Sequence, residues 1–171
     1  MKRLLFVCTG NTCRSPMAEV IAREQALRRG LEVEVHSAGL MTGPGSPAAQ
    51  HARHLAAERG LDLAPHRSTV LTPDLLAMSD LVLGMTRRHV DALRPALPGA
   101  EVHLLTAFLP PGHAMAGAEI PDPFGGTPAD YAVTWDRLKV AIEALLDHLE
   151  DAEGRKERPA SEGGASEEPG E

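Results

Sequence analysis

The apolar positions of this chain recur in two rhythms, and the places where the rhythm changes mark its elements. Leu4 to Val7 is an unbroken apolar run of strand length, the pattern of a strand buried on both faces. A polar stretch follows, after which Ser15 reads as a helix N-cap and Pro16 as a favoured first helical residue. Met17, Val20, Ile21 and Leu27 fall on one helical face until Gly30 stops it. Val33 to Ser37 is a short β-prone run leading into Ala38-Gly39. The segment 41–47, MTGPGSP, carries loop chemistry, and a helix is predicted from Pro47 to Arg59 with Gly60 as its stop.

Farther on, Thr72-Pro73-Asp74 opens a short helix through Met78, and Leu81 to Leu83 forms a third buried strand. Thr86 caps a helix to Leu97, ended by Pro98-Gly99, and Val102 to Leu105 makes a fourth strand. The segment 106–128 holds five of the 14 prolines and four glycines, so it is predicted as a long loop of the kind that carries function. Tyr131, Trp135, Leu138, Ile142, Leu145 and Leu149 then recur at alternating steps of four and three, one continuous apolar stripe on a helix. Beyond Glu150 no strongly apolar residue remains. Residues 1–150 are therefore expected to form one folded domain and residues 151–171 a disordered acidic tail.

Strands alternating with helices predict an α/β fold, a three-layer sandwich in which helices flank a four-stranded, mostly parallel sheet. In such folds ligands bind at the carboxyl ends of the strands. Cys8 leaves the first strand at such an end.

Charge narrows the partners. The chain carries a net charge of −7, of which −4 belongs to residues 151–171, so the body is near neutral and lacks a nucleic-acid footprint. Met1-Lys2-Arg3 is followed by an apolar run too short for a signal peptide, and no stretch has the length of a membrane span. Both cysteines sit in one loop, which does not suit a disulfide framework. A cytoplasmic monomer is expected, without contacts to membrane or nucleic acid.

The loop from Cys8 to Pro16 concentrates the chemistry. A strand, a tight loop and a helix start make a cup of main-chain N–H groups suited to an oxyanion. Cys8 lies at its base and Arg14 at its rim, a C-x5-R spacing. A thiol attacks well only once ionised, and helix N-termini and neighbouring cations favour that form. Arg14 also offers a fork that matches two phosphoryl oxygens. Gly10 keeps side chains out of the cup, and Asn11 tolerates the left-handed conformation such a loop needs. Ser15 is placed to hydrogen-bond the thiolate. The bland alternative for Cys8 is a small buried residue at a strand end. Zinc binding by Cys8 and Cys13 is a second alternative, but Arg14 beside them would repel the cation. No metal and no cofactor is called for. Cys13 reads equally as a buried small residue and as a partner that closes a reversible disulfide with Cys8 on oxidation.

With these residues in place, VCTGNTCRSP resembles the signature loop of the low-molecular-weight protein tyrosine phosphatase family. The resemblance extends over residues 3–150, with Ser37-Ala38-Gly39, His66-Arg67-Ser68 and Asp122-Pro123-Phe124 in the family's order. It implies a cysteine-dependent phosphatase acting on phosphorylated proteins through a phosphocysteine intermediate. Thr9, Gly10, Asn11, Thr12, Cys13 and Ser15 would line the phosphate cup, and Phe124 would flank the substrate. Alone, Asp-Pro reads as a turn; the resemblance makes Asp122 the general acid and then the base. It also implies that Ser37, Ser15 and His66 hold Asn11, whereas His66 by itself reads as an ordinary loop histidine.

The client is read from smaller details. CTGNTCRSP with DPFGG is most similar to the bacterial protein arginine phosphatases of this family, in which the threonine at position 12 suits a polar guanidino leaving group. Phosphotyrosine wants apolar walls on both sides, and Phe124 is the one aromatic in reach. A tyrosine phosphatase is the alternative client reading, and a neutral loop substitution is the bland one for Thr12. An arsenate reductase would need relay cysteines beyond the two present. A non-catalytic phosphate-binding module is the remaining rival.

Overall fold

The computed structural model describes residues 1–97 and 101–157. Four strands, β1 (Lys2–Cys8), β2 (Val33–Gly39), β3 (Leu81–Gly84) and β4 (Glu101–Leu104), form one parallel sheet in the order β2-β1-β3-β4. The helices are α1 (Arg14–Arg29), α2 (Gln50–Glu58), α3 (Pro73–Ala77), α4 (Arg87–Leu93) and α5 (Pro128–Glu157). The predicted α/β sandwich with a four-stranded parallel sheet is what forms.

Side chains of β1 alternate across the sheet, as a strand must. Leu4, Phe6 and Cys8 join a core with α1, α2 and α5, while Leu5 and Val7 join Val82, Val90 and Val102 in a second core under α3 and α4. The winding reverses between β1 and β3, so the ends of these two central strands open a crevice. Cys8 ends β1 in that crevice.

Several boundaries differ from those the pattern predicted, each for a physical reason. Ser15 is not the N-cap of α1: the helix begins at Arg14, Cys13 occupies the cap position, and the Ser15 hydroxyl is engaged inside the loop. Leu27 is 81% exposed, because the buried face of α1 is built by Met17, Ile21 and the small residues Ala22 and Ala26. Gly30 does end the helix, in the left-handed conformation, with its N–H on Leu27. The helix predicted from Pro47 starts only at Gln50, since the main chain at Pro47 bridges to Arg67. The long loop 106–128 begins with a 3-10 turn, Leu105–Phe108.

The six stripe residues of α5 are all buried, as the spacing requires. The helix does not end near Glu150, however, but continues to Glu157, so the expected tail boundary falls inside it. Residues 151–157 are mostly polar helix formers, and loss of an apolar stripe ends burial without ending a helix. The rest of the expected tail, 158–171, lies outside the described residues, as does the predicted stop at Pro98-Gly99.

Candidate active site

Between Cys8 and Arg14 the chain folds around one strained residue. Asn11 has φ 53° and is the one non-glycine described residue with positive φ. Its fully buried side chain holds the loop in that shape. Oδ1 accepts from Thr69 N at 2.9 Å, which fixes the amide orientation and turns Nδ2 toward two hydroxyls. Nδ2 donates to Ser15 Oγ at 2.8 Å and to Ser37 Oγ at 2.9 Å. Ser37 Oγ in turn donates a hydrogen bond to Glu19 Oε2 at 2.9 Å. Ser15, having accepted from Asn11, faces Cys8 Sγ at 2.9 Å with a proton to donate.

Cys8 Sγ receives a second donor, Asn11 N–H, at 3.2 Å. Sulfur is thus the terminal acceptor of a chain of donors, an arrangement that suits a thiolate. The Asn11 carbonyl accepts from His66 Nε2 at 2.8 Å, and the other ring nitrogen of His66 lies 3.7 Å from Glu19 Oε2. The three residues expected around Asn11, Ser37, Ser15 and His66, are all there. Gly10 does not have a positive φ, and a Cβ there would meet only Thr12 Oγ1 at 3.6 Å; the left-handed conformation of the loop is carried by Asn11, as expected of it.

Arg14 is 4% exposed, an unusual depth for a guanidinium. Nη1 donates to the Ile120 carbonyl at 3.1 Å, and Nη2 lies 3.5 Å from Asp122 Oδ2. The loop from β4 to α5 is thereby brought over the cup. Asp122 uses its two oxygens differently. Oδ1 accepts from Phe124 N at 3.1 Å and closes a local turn, while Oδ2 faces Arg14. Asp122 thus forms the turn that its Asp-Pro dipeptide predicts and also presents one oxygen toward the cup. Cys8, Thr9, Gly10, Thr12, Cys13, Arg14, Asp122 and Phe124 line a pocket of about 220 Å3. Phe124, 77% exposed, stands at its mouth.

Both cysteines are free thiols and both are buried. Cys13 Sγ lies 3.3 Å from the Tyr131 hydroxyl. Burial pushes the Cys13 thiol up, only partly offset by the hydrogen bond from Tyr131. The same burial and the Cys13 contact push the tyrosine up as well. No group of three or more His, Cys, Asp or Glu side chains among the described residues could hold a metal ion.

Three contributors were not found in the sequence. Glu19, buried on α1, ties Ser37 to His66 from beneath the loop. Burial alone would push its carboxyl up, but His66, Arg23 and Ser37 outweigh it and hold it below the usual glutamate range. Its place one helical turn after Ser15 was the available signal. Thr69 supplies the N–H that orients Asn11, a main-chain role that no side-chain pattern announces. His89 lies under Thr9, with Nε2 at 3.0 Å from Thr9 Oγ1. Its signal was Thr86, because His89 takes the reciprocal position of the capping box that Thr86 begins.

Comparison with known proteins agrees with this geometry. The family model described as low molecular weight phosphotyrosine protein phosphatase matches residues 3–156. A protein-arginine-phosphatase of Bacillus subtilis (strain 168) is 37% identical over 148 residues, 85% of this chain and 95% of that protein. A low molecular weight protein-tyrosine-phosphatase of Acinetobacter johnsonii is 33% identical over 151 residues, 86% of this chain and 98% of the relative. The solved arginine phosphatase from Geobacillus stearothermophilus superposes with a TM-score of 0.82 at 34% identity, covering 94% of this chain and 100% of its own. A variant arginine phosphatase with a phosphorylated active-site serine gives 0.79 at 36% identity, over 86% and 95% of the two chains. The fold, the cup closed by Cys8 and Arg14, and the match over nearly the whole described chain lead to one conclusion: the chain belongs to the low molecular weight phosphotyrosine protein phosphatase family.

Proposed function

We propose that this chain is a protein phosphatase that removes phosphoryl groups from arginine side chains through a phosphocysteine on Cys8. In the first step the Cys8 thiolate attacks phosphorus, the P–N bond breaks, and Asp122 gives a proton to the departing guanidino nitrogen. Arg14 and the main-chain N–H groups of residues 9–14 stabilise the charge on the phosphoryl oxygens, so the reaction needs no metal. In the second step Asp122 takes a proton from water, the water oxygen attacks phosphorus, and the P–S bond breaks. Inorganic phosphate leaves, and Ser15 donates to the returning thiolate.

Thr12 carries the choice of client. It stands on the pocket wall, where Phe124 is the one aromatic among the described lining residues and a hydroxyl suits a polar leaving group better than an aryl ring. Relatives named protein-arginine-phosphatase favour the same client. Phosphotyrosine is the second reading, favoured by the exposed ring of Phe124 and by relatives named protein-tyrosine-phosphatase. The chemistry requires reduced thiols, which favours the cytoplasm.

The test is turnover of phosphoarginine, phosphotyrosine and phosphoserine peptides side by side without added metal. Phosphoarginine is expected to be preferred, and Thr12→Ile is expected to shift the phosphoarginine-to-phosphotyrosine ratio toward tyrosine by about tenfold. An unchanged ratio in Thr12→Ile would remove Thr12 as the determinant. Cys8→Ser is the control, expected to abolish turnover while keeping phosphate binding. An active Cys8→Ser protein would refute the covalent route.

A further inference from the structure

Thr9 stands on the ridge between the catalytic pocket and a second hollow of about 520 Å3. The two share Arg14 and Asp122, and the second is walled on its far side by Arg88, His89 and Glu119. The direction of the bond between Thr9 and His89 follows from the other ring nitrogen. His89 Nδ1 lies 3.3 Å from Met85 N and 3.2 Å from Thr86 N, both main-chain N–H groups that can only donate. Nδ1 is therefore bare, the ring proton sits on Nε2, and Thr9 Oγ1 accepts it. Burial, then the charge of Arg14, lowers the imidazole to about 4, which keeps it neutral at working pH. The Thr9 hydroxyl has thus accepted a bond and keeps a proton to give. No second partner among the described residues takes it.

The charges of the hollow are unevenly matched. Asp122 is answered by Arg14 at 3.5 Å and Glu119 by Arg87 at 3.7 Å. Exposed Arg88, beside them, makes no hydrogen bond or ion pair with any described residue. A hollow that adjoins the catalytic pocket, holding one oriented hydroxyl donor and one unanswered guanidinium, fits a chain rich in acceptors and negative charge.

We propose that this hollow seats the part of a protein substrate that flanks the phosphorylated residue. The Thr9 hydroxyl binds a main-chain carbonyl there, and Arg88 binds an acidic side chain. His89 is a positioning residue that keeps Thr9 a donor. The proposal rests on the protein phosphatase reading and adds a sequence preference to it.

The test compares phenyl phosphate, which cannot reach the hollow, with two phosphoarginine peptides carrying either Asp or Asn on both sides of the modified residue. The native protein is expected to show a KM at least fivefold lower for the Asp peptide, with similar kcat. Arg88→Glu is expected to raise KM for the Asp peptide at least tenfold more than it raises KM for phenyl phosphate. Equal KM for the two peptides, or an equal effect of Arg88→Glu on peptide and phenyl phosphate, overturns the subsite. For the positioning role, Thr9→Val combined with His89→Ala is expected to raise peptide KM no further than Thr9→Val alone, and His89→Gln, which keeps an acceptor and a donor, is expected to restore most of the His89→Ala loss. Additive losses without rescue overturn that role. If only phenyl phosphate is turned over, the client reading has failed instead, and the same peptide pair built on phosphotyrosine carries the test.

Discussion

Asn11 concentrates three functions in one residue: it accepts a left-handed backbone, it bridges two serines, and its N–H reaches Cys8. Alanine at this position would keep the main-chain N–H but lose every side-chain bond and meet the steric cost of positive φ. Asn11→Ala is expected to lower stability by about 2–4 kcal/mol from the unmade buried hydrogen bonds and the strained backbone. The loop is also expected to lose its prepared shape, so kcat/KM should fall by about a hundredfold. Urea unfolding and steady-state kinetics on one preparation check both. A loss of activity no larger than threefold would mean that the loop holds its shape without this side chain.

At the scale of elements, the catalytic loop is fastened to the end of β2 by closeness as well as by bonds. A Cβ on Gly39 would lie 2.7 Å from Thr42 Cγ2, 2.9 Å from Thr9 O and 3.1 Å from Asn11 Cβ. The Thr42 methyl can turn aside, but Thr9 O is main chain and cannot swing away. Gly39→Ala is expected to cost about 1–3 kcal/mol by overpacking, and to depress kcat/KM more than any change in stability explains, because the main-chain atom it displaces, Thr9 O, belongs to the cup. Gly30→Ala is the matched comparison. It has positive φ but open space around it, so it is expected to cost about 1 kcal/mol with kcat retained. Equal kinetic effects of the two substitutions would show that the contact at Gly39 does not reach the loop.

The elements themselves were readable because burial is written locally. The run Leu4 to Val7 and the stripe from Tyr131 to Leu149 satisfy strand and helix periods within a few residues. Leu27 misled because a large apolar residue outweighs Ala22 and Ala26 in a periodicity reading, although the small residues face the core. The cup was readable for a related reason, since Cys8, Asn11, Arg14 and Ser15 are neighbours in sequence. Glu19, Thr69 and His89 were not, because their partners come from separate elements. Thr69 N meets Asn11 across 58 positions and His89 meets Thr9 across 80, and no spacing rule connects such pairs before the chain has folded.

For the whole molecule, acid should act through His89. In the unfolded chain an imidazole titrates near about 6.5, whereas in the folded chain His89 is lowered to about 4 by burial, then by Arg14. Between these values the unfolded state binds the extra proton, so the stability contributed by neutral His89 is complete above about pH 6.5 and is lost as pH falls toward 4. Arg14 and Arg88 oppose protonation of this ring while Asp122 and Glu119 favour it, and the former group prevails together with burial. Urea midpoints measured from pH 7.5 to pH 4.5 are expected to decline less steeply in His89→Gln than in the native protein. Parallel declines would assign the acid sensitivity to other groups.

The segment that follows β2 is joined to the catalytic loop almost entirely through main chain. Leu40 N donates to Cys8 O, Met41 N to Thr9 O and Ala49 N to Thr12 O, while the Met41 side chain stands 80% exposed. Bonds of this kind are indifferent to side-chain identity. Exposed positions such as Met41 can therefore change without moving Cys8, whereas Leu40, packed on the core under α3 and α4, and Gly45, with its positive φ, cannot change as freely. An attachment of this kind lets exposed side chains change while the loop it holds keeps its shape.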